Sequence, residues 1–392
     1  MLVTVLLGGT VAAPASAAAP SRGTAATTST SPPTGDAFYL PPEPLTPAKP
    51  GRLIRAEAIP APEGARAWRV LHHSRSPAGD DIAVSGIVVA PAGPAPKGGR
   101  PVVAWAHGTT GLADSCAPSK SADAATRLPW LTEMLAAGYV VTATDYAGLG
   151  TPGVHPYLVG ESEGRSVLDT IRVARDLPTG ASRRAAVVGH SQGGQAALFA
   201  GEIAADYAPE LSLRGIAAGA PVSDVDGFLG HAAGTPGTVG FLVMGAAGYR
   251  AAYPELATIP LLAPSIEARS DVAVFGCAGQ ALLAFLGDDV RTVFLRDPAT
   301  IPAWAARLRE NTAGNRPAGA PVLVWQGDDD ALTPASLNAR YATRACGAGS
   351  VVDYRLYPGA NHGSVLGAAQ DDVLAFLAAR FAGTKPVSTC AG

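Results

Sequence analysis

Charge is scarce in this chain. Only 16% of its 392 residues are Asp, Glu, Lys or Arg, and the formal net charge at pH 7 is −3, with no long run of either sign. A nucleic-acid partner needs a basic patch or stripe, so that class is excluded. Beyond the N-terminal region there is no stretch of 18 or more apolar residues. The nearest candidate, "GFLGHAAGTPGTVGFLVMGAAGY" from Gly227, is broken by Gly, Pro and His, which is not the pattern of a membrane span. Cysteine occurs four times, with no C-x-x-C pair and no His/Cys cluster at zinc spacing, so no metal is expected.

What is abundant is apolar: 47% of the residues are hydrophobic, enough to bury a sizeable core in one large domain or two to three ordinary ones. The first residues, "MLVTVLLGGTVAAPASAAAP", place a short apolar stretch before an A-x-A site at Ala15-Ser16-Ala17. Although the positively charged n-region is missing, residues 1–17 are expected to be a secretory signal peptide. Residues 18–50 are rich in Ser, Thr and Pro and are expected to be a linker, its first part flexible, with core structure starting near residue 51. In a secreted chain the even set Cys116, Cys277, Cys346 and Cys390 favours two disulfides, for which the sequence alone permits three connectivities.

From Trp68 the chain reads "WRVLHHSRSPAGDDIAVSGIVVAP", two apolar runs around a turn, the pattern of an antiparallel hairpin. The grammar then changes. "PVVAWAHG" (101–108), "GYVVTATDYAG" (138–148), "RAAVVGHS" (184–191), "LRGIAAGAP" (213–221), "PVLVWQGD" (321–328) and "VVDYRLYPG" (351–359) are short continuous apolar runs, most of them separated by helix-like stretches. That alternation predicts a mostly parallel sheet covered on both faces.

The pattern G-x-S-x-G occurs twice, as "GESEG" around Ser162 and "GHSQG" around Ser191. Chance alone supplies roughly 0.3 matches in a chain this rich in glycine, so the motif needs context. A nucleophile elbow requires a buried strand, a sharp turn and an immediate helix. Ser191 has all three, between "RAAVV" and "GGQAALFAGEIAADY". Ser162 instead follows a loop containing Pro152, Gly153 and Pro156, and leads into a helix marked by Val167, Ile171 and Ala174 at helical spacing. It reads as a helix N-terminal residue, with Glu161 and Glu163 favoured there by the helix dipole.

A serine becomes a nucleophile through a base, and the base needs a carboxylate. In α/β-hydrolases the chain order is Ser, acid, His. Only His231 and His362 follow Ser191; His362, in the loop "PGANHGS" after the last strand, is the expected base. The acid lies in "DDDALTP", at the carboxyl end of a strand, with Asp330 favoured by its spacing to Pro334 over Asp328 and Asp329. The expected oxyanion donors are the backbone N–H groups of Gln192 and, in "HGTTG", of Thr109, with Gly108 and Thr110 as neighbours. His107 and His190 are expected to shape loops and pack rather than act as bases.

These segments, together with "FYLPPEPLTPAKPGRLIR", "HGTTGLADSCAPS", "GYVVTATDYAGLGTPGVHPYLVG", "GHSQGGQAALFAGEIA" and "GANHG", resemble the secretory lipases of the lipase A type, in the α/β-hydrolase superfamily. The resemblance spans most of residues 36–392. It implies an α/β-hydrolase core at 51–223 and 317–392, a mainly helical cap at 224–316, and catalytic roles on Ser191, Asp330 and His362. It also implies pairing of Cys116 with Cys277 and of Cys346 with Cys390. The expected activity is cofactor-free hydrolysis of small or lipid carboxylic esters outside the cell, at a lipid–water interface where the substrate demands it. The cap is Gly- and Ala-rich with few bulky aromatics, which favours short to medium acyl chains over a long acyl tunnel. An acyltransferase or peptidase using the same triad, and an inactive hydrolase-fold binder of apolar ligands, are the rival expectations.

Overall fold

The computed structural model describes residues 33–390; the expected signal peptide and the start of the expected linker lie outside them. Nine strands form one sheet in the order β1-β2-β3-β5-β4-β6-β7-β8-β9. They are β1 (Leu53–Ile59), β2 (Ala65–Arg75), β3 (Asp81–Pro91), β4 (Arg100–Ala106), β5 (Val140–Thr144), β6 (Ala181–His190), β7 (Ser212–Gly219), β8 (Val322–Gly327) and β9 (Val352–Tyr357). The first three are antiparallel, with Arg75 opposite Asp81 at the expected hairpin. From β5 to β9 every neighbouring pair is parallel.

The parallel strands are apolar throughout because both their faces are covered. In β4, Val102 and Ala104 join the core with α2 (Gly160–Val173) and α3 (Gln192–Tyr207). Val103 and Trp105, one residue out of phase, join the opposite core with α1 (Leu131–Ala136) and the helix Gln370–Ala382. This is the period-2 alternation of a strand buried on both sides. Between β7 and β8 the chain makes seven helices from α4 (Val225–Ala232) and α5 (Val239–Ala252) to Pro302–Glu310. They enclose an apolar core of their own that also takes in Leu112, Tyr157, Leu158 and Val159.

Two expectations are corrected. Residues 34–50 are not a free linker: Phe38 and Tyr39 are buried, the Tyr39 hydroxyl hydrogen-bonds Ser119 Oγ at 2.9 Å, and the Arg69 guanidinium lies over both rings. Two aromatic side chains offset the ordering entropy that the surrounding Ser, Thr and Pro residues cannot. Nor is the insertion poor in large side chains, since Phe228, Tyr249, Tyr253, Phe285 and Trp304 are all buried within it.

The carboxyl ends of the parallel strands share one edge. β4 lies between β5 and β6, so the chain leaves β4 in one direction and returns on its other side. The loops after β4 and β6 therefore flank a topological switch point, where open α/β sheets bind ligands.

Candidate active site

β6 runs buried from Ala185 to His190 and stops at Ser191, whose backbone takes φ 60° and ψ −122°, and α3 starts at the next residue. That conformation costs a non-glycine residue about 1–3 kcal/mol and persists only where the surroundings impose it. Here the Ser191 N–H donates to the Gly219 carbonyl at 2.8 Å, and the Ser191 carbonyl accepts from Gln195 and Val222. The flanking glycines allow the turn to be this tight. A Cβ at Gly189 would collide with the Gly193 carbonyl, and one at Gly193 with the carbonyl of Ala106 in β4. Ser191 is half-buried, and among the described residues its Oγ has no hydrogen-bond partner.

The loop after β8 holds three consecutive aspartates with different fates. Asp328 and Asp329 are exposed, whereas Asp330 is buried. Asp330 Oδ1 accepts from the N–H groups of Leu332 and Thr333, and its Oδ2 accepts from the Thr333 hydroxyl at 2.9 Å and from His362 Nδ1 at 2.8 Å. Burial opposes ionisation of this carboxyl, but the hydrogen bonds from His362 and Thr333 outweigh it and hold Asp330 below the ordinary carboxylate range. With Nδ1 donating to Asp330, His362 leaves Nε2 for a second partner. The His362 carbonyl accepts from His190 Nε2 at 2.8 Å, with the two rings 4.7 Å apart. The His362 loop is thus docked on the residue that precedes Ser191. His190 also stacks on Trp325, and burial, followed by the nearby His362, pushes its pKa down to about 4, so it remains a neutral donor.

Gln192 is the first residue of α3, where the helix leaves N–H groups unpaired. The loop after β4 passes against the elbow: a Cβ on Gly108 would lie 3.5 Å from Ser191 Cβ. Thr109 is fixed by its hydroxyl, 2.8 Å from that of Tyr157. His107, with Nδ1 2.7 Å from the Gly108 carbonyl and its own carbonyl accepting from Tyr146, shapes this loop from inside. The helical insertion is tied to the same loop. Ala278 N–H donates to the Thr110 carbonyl at 2.8 Å, Gly111 bridges to Cys277, and Cys277 is disulfide-bonded to Cys116. Cys346 pairs with Cys390.

His231, the other histidine after Ser191, lies at the insertion's first helix and hydrogen-bonds the Ala331 carbonyl, whereas the Asp330 carboxyl is bonded by His362. Ser162 sits in the first turn of α2, buried, with an unpartnered hydroxyl. Glu163 lies in the first turn of α2, as expected, but is fully buried there and accepts from the Gln192 side chain. A signal for this existed in the sequence: Glu163 lies four residues before Val167 and eight before Ile171, on the apolar stripe of its own helix. No group of three or more His, Cys, Asp and Glu side chains suited to a metal occurs among the described residues.

A strained serine at a strand–helix turn, with a carboxylate–histidine pair docked beside it, is the layout of a serine hydrolase. The secretory lipase family model matches residues 119–389. This chain belongs to the secretory lipase family. As such it is a carboxylic ester hydrolase. It is 26% identical to lipase A of Moesziomyces aphidis over 91% of this chain and 82% of that one. It is 27% identical, over 91% of this chain and 84% of the other, to a protein of Mycobacterium tuberculosis named "probable inactive lipase". The structure of Candida antarctica lipase A superposes with a TM-score of 0.78 at 22% identity, covering 90% of this chain and 87% of that one. The fold is accordingly that of the α/β-hydrolases.

Proposed function

We propose that this chain is an active, secreted esterase of the secretory lipase family, working through Ser191, His362 and Asp330. Ser191 Oγ attacks the ester carbonyl as His362 Nε2 takes its proton. The tetrahedral oxyanion accepts from the N–H groups of Gln192 and Thr109. The intermediate then collapses, His362 returns the proton to the leaving alkoxide, and an acyl-enzyme forms. Water activated by His362 releases the acid and regenerates the serine. Asp330 keeps the imidazole in the Nδ1–H tautomer and stabilises the imidazolium. The observation that carries this reading is the Asp330–His362 hydrogen bond at 2.8 Å, docked through His190 onto the strained elbow of Ser191.

The helical insertion supports a preference for short to medium acyl chains, on grounds different from its composition. The apolar cavity lined there by Leu242, Tyr249 and Trp304 is only about 10 Å³, too small to take an acyl chain. On its outer surface Phe275, Leu283 and Leu286 are 75%, 72% and 61% exposed, which supports contact with a lipid–water interface. Two disulfides support an oxidising, extracellular setting. Among the described residues no helix is long and apolar enough to cross a membrane.

The name of the mycobacterial relative raises a second reading, an inactive binder of apolar ligands. A panel of p-nitrophenyl esters from C2 to C18, with emulsified triglyceride and peptide anilides alongside, separates the readings. Ester turnover that peaks at short to medium chains and vanishes in Ser191→Ala supports the esterase. Turnover still rising at C16 to C18 points to a long-chain lipase, cleavage of anilides to a peptidase, and no turnover of any substrate to the binder.

A further inference from the structure

The segment "GESEG" has no elbow, yet its second glutamate reaches the site. Glu163 is completely buried at the N-terminal turn of α2. Its Oε1 accepts two hydrogen bonds, from Gln192 Nε2 at 2.8 Å and from the Leu158 N–H at 3.0 Å. The other proton of the Gln192 amide goes to His155 Nε2, also at 2.8 Å. His155 can accept there because its Nδ1–H is committed to the Ala147 carbonyl at 2.9 Å. Both amide protons of Gln192 are therefore spoken for, and the side chain has one orientation. Leu158 stands at φ 61°. Next to it, Tyr157 places its hydroxyl 2.8 Å from that of Thr109. One carboxyl is thus bonded to both segments that carry the proposed oxyanion donors: directly to the side chain of Gln192, and through Leu158 and Tyr157 to Thr109.

We infer that Glu163 is a positioning residue of the oxyanion hole, holding the backbone N–H groups of Gln192 and Thr109 in register with the developing oxyanion. The inference rests on the assignment of Ser191 as nucleophile. Simple filling of space is a poor account of the residue. Its Oε2 is buried without a partner, an unfavourable state that an apolar side chain of similar size would avoid. Such an expense, at a group bonded to a catalytic segment, points to function.

The surroundings also give the position a signature. The titratable groups facing Glu163 are His155, Tyr146 and Tyr157 from the loop after β5 and Tyr249 from α5, each held in its neutral form chiefly by burial. None supplies a cation, and burial, against the hydrogen bonds from Gln192 and Leu158, pushes the Glu163 carboxyl up to about 8. It is neutral at pH 7. As pH rises through about 8 it acquires a negative charge on the carboxyl that holds the Gln192 side chain, which opposes formation of the anionic tetrahedral intermediate. Because its folded pKa lies above the unfolded one, the stability it contributes is fully present below the unfolded carboxylate range and is lost as pH rises through about 8.

The test compares Glu163→Gln and Glu163→Ala with the unaltered chain, on a short-chain p-nitrophenyl ester between pH 5 and 10, with kcat normalised to folded protein. Glu163→Gln keeps a neutral acceptor and should retain kcat within about threefold at pH 7 while losing the alkaline fall near pH 8. Glu163→Ala should lose about 10- to 100-fold in kcat with KM little changed, the scale of a misplaced catalytic group. The inference is overturned if Glu163→Gln keeps the same alkaline fall, or if Glu163→Ala retains kcat per folded molecule. Should Glu163→Ala fail to fold, the pH profile of Glu163→Gln decides alone. Ser191→Ala, run alongside, isolates the underlying assignment: activity remaining there refutes the nucleophile, whatever Glu163 does.

Discussion

The two G-x-S-x-G segments meet on the same helix. "GHSQG" forms the start of α3, where glycines at 189 and 193 let strand, turn and the β4 backbone come together. "GESEG" opens α2, and its glycines serve a different approach: a Cβ at Gly160 would enter the Phe199 ring, and one at Gly164 would lie 2.8 Å from the Ala200 backbone nitrogen of α3. Both motifs record close backbone contact. Only the first puts its serine at positive φ after a buried strand. The motif therefore reports tight packing, and chemistry enters with the strand that precedes it.

The sharpest way to break this comparison is to remove each hydroxyl. Ser191→Ala should cost on the order of 10⁶ in kcat. Ser162→Ala should leave kcat within a few-fold and the melting temperature equal or higher, because it deletes a buried hydroxyl that has no partner. A folded but inactive Ser162→Ala protein would reverse the assignment of the two segments.

Next in size is the acid. Asp330→Asn should lower kcat by roughly 10⁴, since an amide at that position no longer holds the Nδ1–H tautomer of His362. Asp329→Asn, at an exposed position, should leave kcat within about twofold by the ordinary scale of surface substitutions. If Asp329→Asn is the damaging change, the loop register at the site is wrong by one residue.

The parallel strands and the elbow were legible because burial on both faces forces continuous apolar runs, and an elbow forces glycines at fixed offsets. Three features were not legible. Strand β1, "LIRAEAI", lies at the sheet edge with its residues mostly half-buried, so charge and apolar residues alternate without a clear signal. Phe38 and Tyr39 were submerged in a Ser-, Thr- and Pro-rich average. Glu163 was correctly placed at the helix terminus, but its burial and its bond to Gln192 were missed, although its position on the apolar stripe argued for burial. In each case a local average hid a few decisive side chains.

A smaller effect tests how the insertion serves the elbow side of the comparison. The Cys116–Cys277 bridge spans 161 residues of sequence, for which chain-entropy reasoning gives on the order of 5 kcal/mol as an upper figure. The Ala278–Thr110 hydrogen bond and the Gly111–Cys277 bridge hold the same contact independently. A Cys116→Ser, Cys277→Ser double variant should thus remain folded, melt at lower temperature, and discriminate a few-fold less among acyl chains. Unchanged melting and unchanged selectivity would show that the main-chain contacts suffice.

The last comparison sets the glycines against each other. Gly193→Ala forces a Cβ into the Ala106 carbonyl beside Ser191, so it should damage the elbow and abolish activity. Gly164→Ala forces one towards the Ala200 nitrogen of α3. Two opposing terms decide its sign. Replacing glycine inside a helix stabilises by roughly 0.5–1 kcal/mol through lost unfolded-state freedom. Overpacking two helices at a backbone contact costs about 1–3 kcal/mol. The clash is with backbone, which cannot swing aside as a side chain could, so the cost should win. We expect a net loss of about 1–2 kcal/mol, read as a fall in Tm of about 1–3 °C in a folded unit of this size, with kcat per folded molecule unchanged. A loss of kcat without a loss of stability in Gly164→Ala would mean that "GESEG" does more for the elbow than press α2 against α3, and would make Glu163 only part of its contribution.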